Sequence, residues 1–138
     1  MISSVIPTFN EIRNISEIIN QLLKLDFSSD LEIIIVDDNS SDGTADKVRQ
    51  LVHNDKRIRL INRVGRSGLS SAIKEGCLCA SGELVVVMDA DGQHDPSYIR
   101  KALKFIESSK VDIVVGSRFT LVYEPISKIL CKVYRIIR

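Results

Sequence analysis

Apolar residues are spaced along this chain in two alternating rhythms. Short, nearly unbroken runs occur at Ser3–Pro7, Leu31–Val36, Ile58–Ile61, Leu84–Met88 and Val111–Val115. Between them, apolar residues return every three or four positions. A run of four to eight residues rich in Val and Ile predicts a strand buried on both faces. The periodic stretches predict helices. The first carries Ile12, Ile15, Ile18, Ile19, Leu22 and Leu23, and the second Ala45, Val48, Leu51 and Val52. The third packs through Leu69, Ala72, Ile73, Gly76 and Ala80, and the fourth through Ile99, Ala102, Leu103 and Ile106. Thr8 or Asn10 is expected to cap the first helix, and Pro96 to stand near the start of the fourth.

Strands that alternate with helices, and that read as apolar runs, predict an α/β domain with a mostly parallel sheet covered by helices on both faces. In such sheets ligands bind beyond the carboxyl ends of the strands. The residues with chemical potential fall there: Pro7 to Glu11, Asp37-Asp38, Arg63 to Gly68, Asp89 and Asp91, and Arg118. Residues 1–120 are read as this core. Residues 121–138 are read as a basic amphipathic helix, with Ile126, Ile129, Leu130, Val133 and Ile137 on one stripe and Lys128, Lys132, Arg135 and Arg138 between them. Such a helix can lie on an anionic membrane surface, or dock on the sheet or on another chain.

At 138 residues the chain is long enough for one domain with a real core. A net charge of +1, 5% aromatic residues and no tryptophan give no support to nucleic-acid binding. Three cysteines, Cys77, Cys79 and Cys131, match neither a zinc spacing nor a disulfide framework, and read as reduced thiols in a cytosolic protein. The chain enters a strand pattern almost at once, without a signal-peptide pattern, and no stretch approaches the ~20 apolar residues of a membrane span.

The run Leu84–Met88 ends in Asp89-Ala90-Asp91-Gly92-Gln93. In extended chain, residues two apart point to the same side, so Asp89, Asp91 and Gln93 can face one point. Hard oxygen ligands of this kind suit Mg²⁺ or Mn²⁺ and leave positions that a diphosphate can fill. A D-x-D pair alone is as readily a capped strand end and polar turn.

Its neighbours change that balance. Val5-Ile6-Pro7-Thr8-Phe9-Asn10-Glu11, Ile35 to Thr44, Arg66 to Ala72, Met88 to His94 and Gly116-Ser117-Arg118, in that order, resemble family 2 glycosyltransferases, most closely those that use polyprenyl-phosphate acceptors. The resemblance implies a GT-A fold, a nucleotide-sugar donor carrying GDP or UDP, a divalent metal and inversion at the anomeric carbon. It implies that Pro7, Phe9 and Glu11 line the nucleotide pocket, with Arg66 among the donor-binding residues. Asp38, with Asp37, would contact base or ribose. Asp89, Asp91 and Gln93 would hold the metal, and Arg118 would stand near the donor phosphates. Asp91 and Arg118 are then the residues expected to carry catalysis. An acceptor that is a lipid phosphate is already an anion and needs no protein base. His94, beside the metal motif, is expected to be structural or to support the metal ligands rather than to act as a base. The implied location is the cytoplasm, including peripheral attachment at the cytoplasmic membrane face.

Gly92, Asp95 and Phe9 depart from the residues common in that family, and relatives continue well past residue 138. The chain is therefore expected to be a donor-binding core, with the acceptor region cut, shortened or supplied by a partner chain. A nucleotide-sugar-binding module without transferase activity of its own is the alternative. A signalling receiver domain fits less well, because its acid pair belongs on the first strand. A dehalogenase-like phosphatase would open with the Asp89–Asp91 motif, and a dinucleotide-binding domain would need a glycine fingerprint that Gly65-Arg66-Ser67-Gly68 does not supply.

Overall fold

The computed structural model describes residues 1–25, 27, 30–92, 95–108 and 111–115, and the backbone of residues 132–135. The elements run β1 (Ile2–Thr8), α1 (Ile15–Lys24), β2 (Leu31–Asp37), α2 (Thr44–Asn54), β3 (Ile58–Asn62), α3 (Leu69–Cys79), β4 (Leu84–Val87), α4 (Ser97–Ser108), β5 (Ile113–Val115) and β6 (Lys132–Arg135). They form one sheet of order β3-β2-β1-β4-β6-β5. The pairs β1–β2, β2–β3 and β1–β4 are parallel, and β6 runs antiparallel to both β4 and β5.

Side chains alternate across the sheet and divide its core in two. Ile6, Ile33, Ile35, Val86 and Met88 pack with Ile15, Ile18, Ile19 and Leu22 of α1, Val48 of α2 and Ile99, Leu103 and Ile106 of α4. Val5, Ile34, Val36, Val85 and Val87 pack with Ala72 of α3 on the opposite face. The doubly covered sheet expected from the apolar runs is thus present. Gly76 sits where α3 crosses the sheet most closely: a Cβ there would lie 2.4 Å from Val5 Cγ1 and 2.9 Å from Val36 Cγ2.

The chain turns back at β1. Strands β2 and β3 extend the sheet to one side of it, and β4 continues on the other. That reversal is the switch point at which open α/β sheets form a crevice. Pro7 helps to open it. By alternation Pro7 faces the same side as Val5, whose carbonyl accepts from Met88 N of the β4 segment at 3.1 Å. Pairing of β1 with β4 ends at Val5–Val87, so the N–H that proline lacks is one the ladder does not use.

Two expectations need correction. Neither Thr8 nor Asn10 caps α1: Asn14 occupies that position, while Thr8 belongs to β1 and Asn10 has φ 58°. The helix expected over 121–138 is not formed at residues 132–135, which are strand β6. Val133 is aligned with Val86 of β4 and with Val114 of β5. The edges of β4 and β5 offer this short segment two ladders of backbone partners, and Val and Tyr suit a strand. The remaining residues of 121–138 lie outside the described residues.

Candidate active site

The first two loops beyond the sheet are bound to one another. Asn10 N donates to Ser40 Oγ at 2.8 Å, and Ser41 N donates back to Asn10 Oδ1 at 3.0 Å. Glu11 N donates to Thr44 Oγ1 at 2.9 Å, and Ile12 N to Asp42 Oδ2 at 3.0 Å. These side chains satisfy backbone donors that precede α1, which would otherwise need water. Partial burial pushes the Asp42 carboxyl up, but bonds from the Thr44 hydroxyl and from the N–H groups of Ile12 and Thr44 outweigh it and hold it below the usual range. Gly43 takes φ 95°, and a Cβ there would come within 3.1 Å of Ile12 Cδ1. The glycine therefore permits both the turn and the approach of the two loops.

A cleft of about 280 Å³ opens above the switch point. Pro7, Thr8, Phe9 and Glu11 line it from the end of β1, and Asp38 from the end of β2. Leu69 and Ala72 line it from the start of α3, and Asp89, Ala90 and Asp91 from the end of β4. The structure therefore brings together six of the residues anticipated from the sequence: Pro7, Phe9, Glu11, Asp38, Asp89 and Asp91.

Other anticipated residues are placed elsewhere. Asp37 is fully buried and does not line the cleft. Its carboxylate accepts from Thr8 Oγ1 at 3.0 Å, Ser40 N at 2.9 Å and Ser40 Oγ at 2.6 Å, which fixes the β2–α2 loop. Asp38, the first residue beyond β2, is the one of the two that lines the cleft. Arg66 is exposed and pairs with Glu75 at 3.0 Å, away from the cleft lining. Gln93, His94 and Arg118 lie outside the described residues. Leu69, expected in the core, is 58% exposed at the cleft.

Arg63 was anticipated only as part of the basic Arg63–Gly68 loop; its burial, at 1% exposed just beyond β3, was not. Nη1 donates to Asp38 Oδ1 at 2.5 Å, while Asp38 Oδ2 accepts from Gly68 N at 2.7 Å. A cation directly after an apolar run, at the same end of the sheet as Asp38, was the available clue.

The donor chemistry of the cleft suits a divalent ion of the Mg²⁺ or Mn²⁺ type. Asp89 and Asp91 supply hard oxygens from one side. Among the described residues no cluster of three or more His, Cys, Asp or Glu side chains could hold a metal. A two-carboxylate site of this kind leaves most positions to water and phosphate oxygens, as Mg²⁺ sites commonly do.

A family model described as glycosyl transferase family 2 matches residues 3–130. The chain belongs to that family. A curated relative, the dolichol-phosphate mannosyltransferase of Pyrococcus furiosus, is 39% identical over 118 residues, covering 86% of this chain and 33% of the relative. The chain spans 44% and 42% of two further relatives of the same name, and so less than half the length of each of these three. Among solved structures, mannosyltransferase PcManGT from Pyrobaculum calidifontis, in complex with GDP-Man and Mn²⁺, superimposes with TM-score 0.79 at 22% identity, over 97% of this chain and 44% of that one. S. aureus TarS 1-349 in complex with UDP-GlcNAc gives 0.77 at 24% identity, over 97% and 45%. The family 2 chain has the GT-A fold that these structures share.

Proposed function

We propose that this chain is the donor-binding core of an inverting transferase that moves a hexose from a GDP- or UDP-sugar to a polyprenyl phosphate. The observation that carries this reading is the cleft at the switch point, which Asp38 lines from the end of β2 and Asp89 and Asp91 line from the end of β4. The nucleoside lies toward Pro7, Phe9, Glu11 and Asp38, and the diphosphate toward Asp89 and Asp91. Asp89 and Asp91, joined by Gln93, would hold Mg²⁺ or Mn²⁺. When bound, the ion offsets the charge that builds on the departing diphosphate. Arg118 is assigned the same electrostatic task from the protein side. The 39% identity to a dolichol-phosphate mannosyltransferase, and the GDP-Man and Mn²⁺ held by a protein of the same fold, support donor, metal and acceptor.

An anionic acceptor removes the need for a general base, and none of the described cleft residues has to be given that role. No helix among the described residues is long and apolar enough to cross a membrane. Access to a lipid acceptor by peripheral attachment at the cytoplasmic face is part of the same proposal. Transfer is a property of the longer relatives. A nucleotide-sugar-binding module of the same fold that does not transfer by itself is the second reading.

Calorimetric titration of GDP, UDP and their sugar conjugates, with and without Mn²⁺, tests the proposal. Metal-dependent binding of one nucleotide is expected, and no binding by a folded chain would refute it. Asp91→Asn should weaken that binding by more than the roughly 10–100-fold that loss of an outer-shell partner costs a metal site. Unchanged affinity in Asp91→Asn would remove the metal assignment. Detectable transfer to a polyprenyl phosphate by residues 1–138 would eliminate the non-transferring reading.

A further inference from the structure

We infer that Arg63 is a positioning residue for nucleotide recognition: it fixes the acceptor direction of Asp38 and so sets affinity for the nucleoside half of the ligand. The inference rests on the donor-binding reading above. A guanidinium is costly to bury, and an apolar residue at such a place is often as stable or more so. Arg63 nevertheless has only 2% of its side chain exposed. Besides Asp38, its Nη1 reaches Gly68 O at 3.3 Å, and its Nη2 donates to Ser71 Oγ at 2.5 Å. Its Nε lies 3.3 Å from Glu75 Oε2, an ion pair without hydrogen-bond alignment, so this buried N–H has no hydrogen-bond partner.

The consequence falls on Asp38. Its side chain is 10% exposed, and it lines the cleft. One oxygen is held by Arg63 and the other by the backbone N–H of Gly68. Each carboxylate oxygen keeps a second acceptor site, so Asp38 can still receive an N–H or O–H from a ligand. The direction of that acceptance is set by the two bonds behind it. Gly68 takes part only because its φ of 118° is accessible to glycine, and it also precedes the first residue of α3. Ser71 Oγ donates in turn to Gly68 O at 2.8 Å, closing the ring around the guanidinium. Carboxylate, loop and helix start thus form one unit centred on Arg63, on the flank of the cleft away from Asp89 and Asp91. Ribose hydroxyls and base N–H groups are the donors of a nucleoside diphosphate that such an acceptor can select, whereas the diphosphate has none to offer.

The test compares two Mn²⁺-dependent ligands, the preferred nucleoside diphosphate and inorganic pyrophosphate, in titrations of wild type, Arg63→Met, Arg63→Lys and Ser71→Ala. Circular dichroism and melting temperature fix a working temperature at which each variant is folded. Arg63→Met should lose tenfold or more in affinity for the nucleotide and less than twofold for pyrophosphate. Arg63→Lys should recover part of the loss, since it restores charge without the fork. Ser71→Ala should show a smaller loss with the same selectivity, and keeps the inference testable if Arg63→Met does not fold. The double variant Asp38→Asn/Arg63→Met should bind nucleotide no more weakly than the worse single variant. Parallel loss of both ligands, no loss of either, or additive losses would overturn the inference. If wild type itself binds no nucleotide, the donor-binding reading fails and takes this inference with it. If wild type binds and the selectivity is absent, only the role of Arg63 fails.

Discussion

Glu32 is the one charged side chain within β2 before its terminal acid, and its surroundings explain how a strand core accommodates it. Its carboxylate accepts from Ser3 Oγ at 2.7 Å and Ser81 N at 3.0 Å, and Arg59 Nη1 donates to it at 2.5 Å. Burial alone would raise the Glu32 carboxyl. The bonds from Ser3, Ser81 and Arg59 outweigh it and hold the group below its ordinary 4.5. A carboxyl whose value is lower in the folded state than in the unfolded one contributes stability that is complete above the unfolded value. That contribution fades as pH falls through the folded value. Denaturant midpoints should therefore drop as pH is lowered below about 4.5, and Glu32→Gln should flatten part of that slope. At pH 7 the same substitution should cost about 1–3 kcal/mol, because the Arg59 and Ser3 donors lose a charged acceptor. Urea titrations of both proteins across pH 3–7 measure the two effects together. The sequence marked Glu32 as the exception in its run, but its partners lie up to 49 residues away and only the assembled sheet brings them in. The distinction between Asp37 and Asp38 was hidden for a similar reason: these neighbouring identical side chains are told apart only by partners distant in sequence, Thr8 for Asp37 and Arg63 and Gly68 for Asp38.

At the scale of elements, α3 illustrates how close packing constrains a helix. Gly76→Ala would improve intrinsic helix propensity by roughly 1 kcal/mol. The added methyl, however, would meet branched side chains of β1 and β2 at 2.4 and 2.9 Å. Valine has little rotameric freedom with which to move aside, and overpacking of this kind costs about 1–3 kcal/mol. The clash is expected to win, with a net loss of about 1 kcal/mol and a lower melting temperature in a thermal scan. A stabilised Gly76→Ala would show that α3 can lift from the sheet at no cost. Helices α1 to α4 were legible because each carries a repeating apolar stripe that one face of the sheet must cover. Strand β6 was not. Val133 and its apolar neighbours have spacings that a helix also satisfies, and the deciding influence is pairing with β4 and β5, which local periodicity does not contain.

At the scale of the whole molecule, the order of strands matters more than any single motif. Because β1 lies between β2 and β4, the ends of three strands and the start of α3 converge on one crevice. The runs of apolar residues, three of which end in polar residues that the crevice displays, pointed to a site at the strand ends but not to the order of the strands. They were insufficient to anticipate that Leu69 would face the crevice or that Arg66 would turn to Glu75, both of which depend on how the β3–α3 loop closes around Arg63. Ligand linkage gives a global check. A nucleotide that binds only the folded chain should stabilise it by about 2.7 kcal/mol at one hundred times its dissociation constant. For a domain of this size that is a rise in melting temperature on the order of 10 °C. The rise should disappear when a chelator removes the divalent ion, and a metal-independent rise would place the ligand elsewhere than against Asp89 and Asp91.

The reciprocal hydrogen bonds between the β1–α1 and β2–α2 loops also limit how this cleft can be remodelled. Asn10 and Ser40–Ser41 exchange bonds in both directions, whereas the backbone N–H groups of Glu11 and Ile12 donate one way to the Thr44 and Asp42 side chains. Side chains of 40–44 hold the backbone of the first loop and Asn10 holds that of the second, so on the donor-binding reading the unit of donor preference is the pair. A chimera that imports residues 9–14 from a relative with a different nucleotide, and leaves 38–44 behind, would carry half of a matched set. Donor preference should then transfer only when both segments travel together, although they are separated by an entire helix and strand.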